Sequence, residues 1–274
     1  VGYLLYPPNL KIKSGCSGTN LFSFWSFFEG LAFWLFSGRI CQKMLEDKYA
    51  YLTLSLLYML AWLVVYVKNP WKKGMVKVCA IGGLMGVVAE VWYFYDYWRP
   101  PTLFGVGIVG IEDFIIGFAM FGVGGYIHSS FTKREIDFDY QTPAKNRDFF
   151  YLWLIGCLSL TFFTFVVKIH SGYTTFLTFL ALSIYIWIQR PDLIGISLIS
   201  GGAVMLITLV IYYITFQILF PHFWDAYGML DDTYMGATVV GIPLSEILWH
   251  SSWGMLCSMF RGYRNGVYFK DSPR

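Results

Sequence analysis

The sequence predicts an all-α polytopic membrane protein of about eight transmembrane helices, arranged as a four-plus-four parallel pseudo-repeat. Composition, a run of apolar segments and the placement of basic residues carry that prediction. Of 274 residues, 57% are hydrophobic and 14% are charged, against about 25% charged in an ordinary soluble domain. Eight apolar segments are long enough, or nearly so, to cross about 30 Å of hydrocarbon. They run 21–38, 51–67, 75–98, 104–127, 149–168, 174–189, 193–219 and 236–259. The sixth is short, and Gly241 and Pro243 interrupt the eighth.

With eight spans both termini lie on one side. With Lys77 and Lys168, at the span ends, counted in the connections they flank, the N-terminal segment, every second connection and the C-terminal tail hold 15 of the 20 Lys and Arg residues, and the other connections hold 5. The positive-inside rule then places both termini in the cytoplasm, of a cell membrane by expectation. The net charge of +3 is a topology signal and does not point to nucleic acid. Cys16, Cys41, Cys79, Cys157 and Cys257 are scattered without a CxxC spacing and read as small buried hydrophobes. The first twenty residues lack the charged-then-apolar layout of a cleavable signal peptide.

The repeat shows as an offset. Tyr66-Val-Lys-Asn-Pro70 after the second span matches Trp187-Ile-Gln-Arg-Pro191 after the sixth, 121 residues on. Tyr97-Trp-Arg-Pro100 and Leu219-Phe-Pro221 end the third and seventh spans at the same offset. An insertion at Phe223 to Met235 shifts the fourth–eighth match to about 133. Units with an even number of spans point the same way across the membrane, and sites form where they meet. The expected division is a first membrane repeat at 1–128, a cytoplasmic linker at 129–148 and a second repeat at 149–274. The linker, the longest hydrophilic stretch, reads as a plain connection. Gly82 and Gly86, with Gly117, Gly122, Gly124 and Gly125, read as smooth faces for close helix packing.

Acids inside apolar spans carry the chemistry. Glu112 and Asp113 are adjacent within the fourth span, Glu90 lies in the third and Glu246 in the eighth. A carboxylate near the centre of a bilayer helix costs roughly 2.5–3.5 kcal/mol on insertion scales. These acids therefore ask for a buried polar site, where a carboxyl held protonated is a proton donor. The tight turn Arg99-Pro-Pro-Thr102 makes the third and fourth spans antiparallel neighbours, so all four acids are expected at one depth, about 10–15 Å below the outer surface at 1.5 Å per residue. Glu29 in the first span either joins them or pairs with a base such as Lys168.

Glu246 and His250 share a helix face, with Trp249 and Trp253 beside them. This is not the HExxH zinc pattern, and no metal site is expected; a Glu–His hydrogen bond fits better, structural or as an acid/base relay. In Val91-Trp-Tyr-Phe-Tyr-Asp-Tyr-Trp98, an interfacial belt accounts for Tyr95, Tyr97 and Trp98. Trp92, Tyr93 and Phe94 lie deeper beside Glu90, where a belt and a cation-stabilising wall are both open. Asp96 is expected to be solvated or paired with Arg99. No cofactor is expected, since dinucleotide, Walker, haem, di-iron and nucleophile-elbow signatures are all missing from the sequence.

The acid motifs resemble those of the small membrane lycopene cyclases, heterodimeric in bacteria and fused into one chain in archaea and fungi. That family carries Pro-x-Glu-(Glu/Asp) near the start of a helix in each membrane unit. The first copy here is Gly110-Ile-Glu-Asp113, with Gly for Pro; the second is Pro243-Leu-Ser-Glu246, with Ser245 at the first acid. Gly241-Ile-Pro-Leu, and Glu90 upstream of Trp92-Tyr93, are also similar. The resemblance implies a cofactor-independent ring closure of a linear carotenoid end group, with a hydrophobic polyene taken from the lipid membrane. It implies Glu112 as proton donor, Asp113 or Glu90 as partner base and Glu246 as a further acid, with Ser245 disabling the second unit. A related hydratase and a non-catalytic pigment-binding protein or transporter are the alternatives. Oligomeric state and contacts with neighbouring enzymes stay open.

Overall fold

The computed structural model describes residues 46–104, 108–131, 134–141, 144–230 and 233–271. The expected first span at 21–38, with Glu29, Cys16 and Cys41, lies outside them. Helix α1, Ala50–Lys68, is followed by α2, Lys72–Asp96, and α3, Ile111–Phe131. Helix α4, Asn146–Thr161, runs on through a π-helical turn at Phe162–Val166. Helix α5, Ser171–Gln189, and α6, Ile194–Tyr212 with a π-helical turn at Tyr213–Leu219, precede the short α7, Phe223–Tyr227. Helix α8, Leu244–Asn265, is the last. Among the described residues six helices are long and apolar enough to cross a membrane, those at Asp47–Lys68, Lys72–Asp96, Ile111–Phe131, Asn146–Val166, Ser171–Gln189 and Pro191–Leu219. Their outward faces are apolar: Leu60, Leu84, Ile188, Leu206 and Val210 are each at least 60% exposed. An all-α membrane protein explains such a surface; a soluble bundle does not.

Helix α8 has the length to span but is not among the six. Its polar residues are affordable because it is enclosed by protein, packed on α6, α5 and α3. Its start departs from expectation. The span predicted from 236 begins at Leu244, after a hairpin of β2, Thr238–Val239, and β3, Ile242–Pro243. The turn puts Val240 at φ 55° and Gly241 at φ 75°, a left-handed pair that no right-handed helix continues through. Helix α3 likewise begins at Ile111, not at 104. The segment 129–148 is more than a plain connection: α3 continues to Phe131, and β1, Arg134–Gln141, pairs antiparallel with β4, Val267–Asp271.

The helices pack alike in both halves. α2 lies along α3 as α6 lies along α8, α1 packs on α3 as α5 packs on α8, and α3 meets α8 at the centre. The α2–α3 contact is backbone to backbone. A Cβ on Gly117 would sit 2.6 Å from the Gly82 carbonyl oxygen, and one on Gly86 would sit 3.0 Å from the Gly117 Cα. The glycine face is thus filled by protein, as small-residue packing predicts. Arg190 ties the two ends of the second half together. Its guanidinium forks onto Asp192 at 2.7 Å and donates to the carbonyls of Gly262 and Val267.

Candidate active site

The second half of α2, the middle of α3, the end of α6 and the first half of α8, with side chains from α4 and α5, surround a cavity of about 210 Å³ whose wall is almost wholly apolar. Glu90 and Glu246 both line it, one from each half of the chain. Glu246 is the better held. Its Oε1 accepts from the Tyr97 hydroxyl at 2.7 Å and its Oε2 from the Tyr212 hydroxyl at 2.7 Å. It is third in α8, behind Pro243. Proline has no N–H, so the acid cannot fold back onto its own helix start and turns inward instead. His250, one turn on, sets Nδ1 2.7 Å from the Glu246 carbonyl oxygen and 3.4 Å from Oε2. Its ring stacks on Tyr58 and meets Tyr212 edge-on.

Glu90 lies six residues before the end of α2 and is 4% exposed. Its Oε1 has no hydrogen-bond partner. A buried carboxyl oxygen without a partner is costly unless something else occupies its site. Between the two acids the wall is aromatic. Tyr93, Trp249, Trp253, Phe179 and Phe121 all border the cavity, and the Trp249 indole donates to the Tyr93 hydroxyl at 2.7 Å.

Glu112 and Asp113 are buried but do not line this cavity. Asp113 Oδ2 accepts from the Gly110 N–H at 2.6 Å, closing the first turn of its own helix, and Oδ1 accepts from the Tyr51 hydroxyl at 2.5 Å. Tyr51 does border the cavity and is the link between Asp113 and it. Glu112 Oε1 accepts from the Leu103 N–H at 2.6 Å, pinning the loop before α3. The later starts of α3 and α8 leave Glu112, Asp113 and Glu246 in the first helical turn and not two turns into a helix.

The aromatic stretch divides differently from expectation. Trp92 and Tyr93 face the cavity, with the Trp92 indole donating to Thr161 Oγ1 at 3.2 Å. Phe94 does not; it lies under the Arg99 guanidinium, 5.4 Å from its ring centroid. Tyr97 and Trp98, expected in a surface belt, are 5% and 7% exposed and line the cavity, while Tyr95 stays exposed beside Lys168. Asp96 is neither solvated nor paired with Arg99: its Oδ2 accepts from the Ser171 N–H at 2.9 Å at the start of α5. Tyr51, Tyr58 and Tyr212 are not among the site residues expected from the sequence. The available signal was a phenol within an apolar span, which needs a buried partner. Among the described residues no cluster of three or more His, Cys, Asp or Glu could hold a metal ion.

Residues 170–263 match the family model described as lycopene cyclase. The match takes in α5, α6 and most of α8, and with them Tyr212, Glu246 and His250. No curated protein and no solved structure matches the chain.

Proposed function

We propose that the protein is a membrane carotenoid cyclase that closes a ring at the end of a linear polyene by proton transfer alone. The observation that carries this is the pair Glu90 and Glu246, brought from the two halves of the chain into one aromatic-walled apolar cavity. Glu90 is the donor. Its unpartnered oxygen can present an O–H to an alkene without first breaking another hydrogen bond. Protonation of the terminal double bond forms a tertiary carbocation. The neighbouring double bond attacks it, a carbon–carbon bond closes the six-membered ring, and the positive charge moves into the ring.

Glu246 is the base. Its carboxylate, fixed by Tyr97 and Tyr212, takes the proton from the ring carbon next to the cation, and the new double bond forms. One proton enters and one leaves, so product and substrate are isomers; transfer from Glu246 back to Glu90 resets the site. The faces of Tyr93, Trp249 and Trp253 offer electron density to the cation while it lasts. The dry wall keeps water from capturing it, which disfavours the hydratase alternative.

Expression in cells that accumulate lycopene, followed by pigment chromatography, tests the proposal. Cyclised carotenoid is expected with the native chain and linear pigment alone with Glu90→Gln. Linear pigment alone from membrane-inserted native protein, or undiminished cyclisation by Glu90→Gln, overturns it.

A further inference from the structure

A second, larger hollow opens at the opposite end of the bundle. It is a groove of about 1230 Å³ bordered by α2 on one side and by α4 and α8 on the other. α2 and α4 stand apart along it, so its wall is open sideways where Ile81, Phe150 and Leu154 are exposed. Met85, Phe121, Trp153 and Cys157 border both this groove and the acid cavity. These four side chains stand between the two hollows. Lys72 at one end and Glu90 at the other lie 18 residues apart on a single helix, about 27 Å at 1.5 Å per residue.

The mouth of the groove is basic. Lys72, Lys73, Arg261 and Arg264 border it, and no Asp or Glu does. The four make no ion pair with a described residue. Arg261 sits over the Trp71 ring, with Cζ 4.0 Å from its centroid, and Arg264 donates to Asn146 Oδ1 at 2.8 Å. Two guanidinium groups are thus fixed at the rim instead of trailing into solvent. A hydrocarbon polyene has no use for such a rim. An amphiphile with a negative head and an apolar tail satisfies both ends: the head on four cations, the tail between α2 and α4.

We propose that this groove is a binding site for an anionic phospholipid, seated with its phosphate at Lys72, Lys73, Arg261 and Arg264 and one acyl chain in the cleft. On the positive-inside expectation this end faces the cytoplasm, where anionic lipids attract juxtamembrane basic residues. The site is independent of the ring-closing chemistry and is read out by binding.

The full-length protein, purified in detergent, is equilibrated with palmitoyl-oleoyl phosphatidylglycerol or with the phosphatidylcholine of identical chains, and retained lipid is counted by native mass spectrometry. Phosphatidylglycerol is expected to be retained about tenfold over phosphatidylcholine, and Lys72→Gln with Lys73→Gln to lower that preference to about threefold or less. Adding Arg264→Gln deepens the loss; the double variant keeps the Arg264–Asn146 contact, so its thermal midpoint checks that the bundle is intact. Equal retention of the two lipids, or an undiminished preference in a folded double variant, overturns the proposal. Displacement of phosphatidylglycerol by inorganic phosphate would reassign the rim to the free anion. Retention of farnesyl diphosphate without retention of phosphatidylglycerol would reassign the groove to an isoprenoid diphosphate.

Discussion

Helix α3 and helix α8 start from related motifs, 133 residues apart at their third helical positions, and put them to opposite uses. At α3 the third-position acid is Asp113, and the residue before the helix is Gly110, whose N–H it accepts. At α8 the acid is Glu246 and the residue before the helix is Pro243, which has no N–H to give. One acid becomes a helix cap; the other, longer by a methylene and released from its own backbone, reaches two phenols at the cavity wall. The same difference appears one residue earlier. Glu112 holds the loop at Leu103, while Ser245 leaves that task undone. In the second motif the acid reaches the cavity wall itself, while in the first Glu112 and Asp113 each hold a backbone N–H and only Tyr51 connects Asp113 to the cavity.

The sharpest break of this contrast is a matched pair of amide substitutions. Glu246→Gln is expected to lower cyclisation by about 10²–10⁴-fold, the usual weight of a positioned acid or base. Asp113→Asn keeps an acceptor for Gly110 or Tyr51 and is expected to retain activity within about tenfold, because no proton leaves from Asp113. Product chromatography at matched expression measures both, and comparable losses would erase the distinction between the two helix starts.

Next in size is the support of the base. Tyr212→Phe and Tyr97→Phe each delete one 2.7 Å hydrogen bond to Glu246. A hydrogen bond to a charged group is worth about 1.5–3 kcal/mol, so each variant is expected to lose roughly 10–100-fold in turnover with the bundle intact. Tyr51→Phe, the corresponding change at Asp113, is expected to act on the thermal midpoint more than on turnover. A turnover loss from Tyr51→Phe as large as that from Tyr212→Phe would mean that Asp113 shares the chemistry.

Glu112→Gln is expected to be milder still. Its side-chain oxygen continues to accept from Leu103, so the loop before α3 stays pinned and cyclisation stays within about threefold of the native level. A collapse of activity would restore Glu112 as the donor and count against Glu90.

Much of the fold was legible because hydropathy and length act segment by segment. The described helices fall where apolar runs of spanning length fall, and Pro70 and Pro191 end α1 and α5 as their missing N–H groups require. The starts of α3 and α8 were not legible. Glycine and apolar residues at 104–110 and 236–243 carry helix-like hydropathy, and only the left-handed turn at Val240–Gly241 or the capping at Asp113 shows where the helix begins. The site was half legible: intramembrane acids announce a site, but not which of them face it. Asp113 and Glu246 differ by one methylene and by the residue three before, and tertiary packing converts that small difference into different partners. Tyr97 misled because a tyrosine near a helix end is ordinarily interfacial, whereas here the insertion at 223–235 covers it: Tyr97 O accepts from the Met229 N–H, and the Trp224 ring stacks on Trp98.

The smallest expected effect concerns what precedes each helix. α8 is entered through Val240, a β-branched residue at φ 55°, a conformation that costs an L-residue about 1–2 kcal/mol and that asparagine adopts far more readily. The Gln217 side chain clamps the turn, donating to the Gly241 carbonyl at 2.8 Å, and a Cβ at Gly241 would run into that same side chain. The strained hairpin therefore sets where α8 starts and so where Glu246 stands. Val240→Asn keeps the turn and removes most of its strain. The thermal midpoint is expected to rise by a few degrees, with cyclisation unchanged within about twofold, because the position of Glu246 is fixed by the clamp and the two phenols and not by the strain itself. A stabilised variant that loses activity would instead make the strain at Val240 part of how the base is aimed.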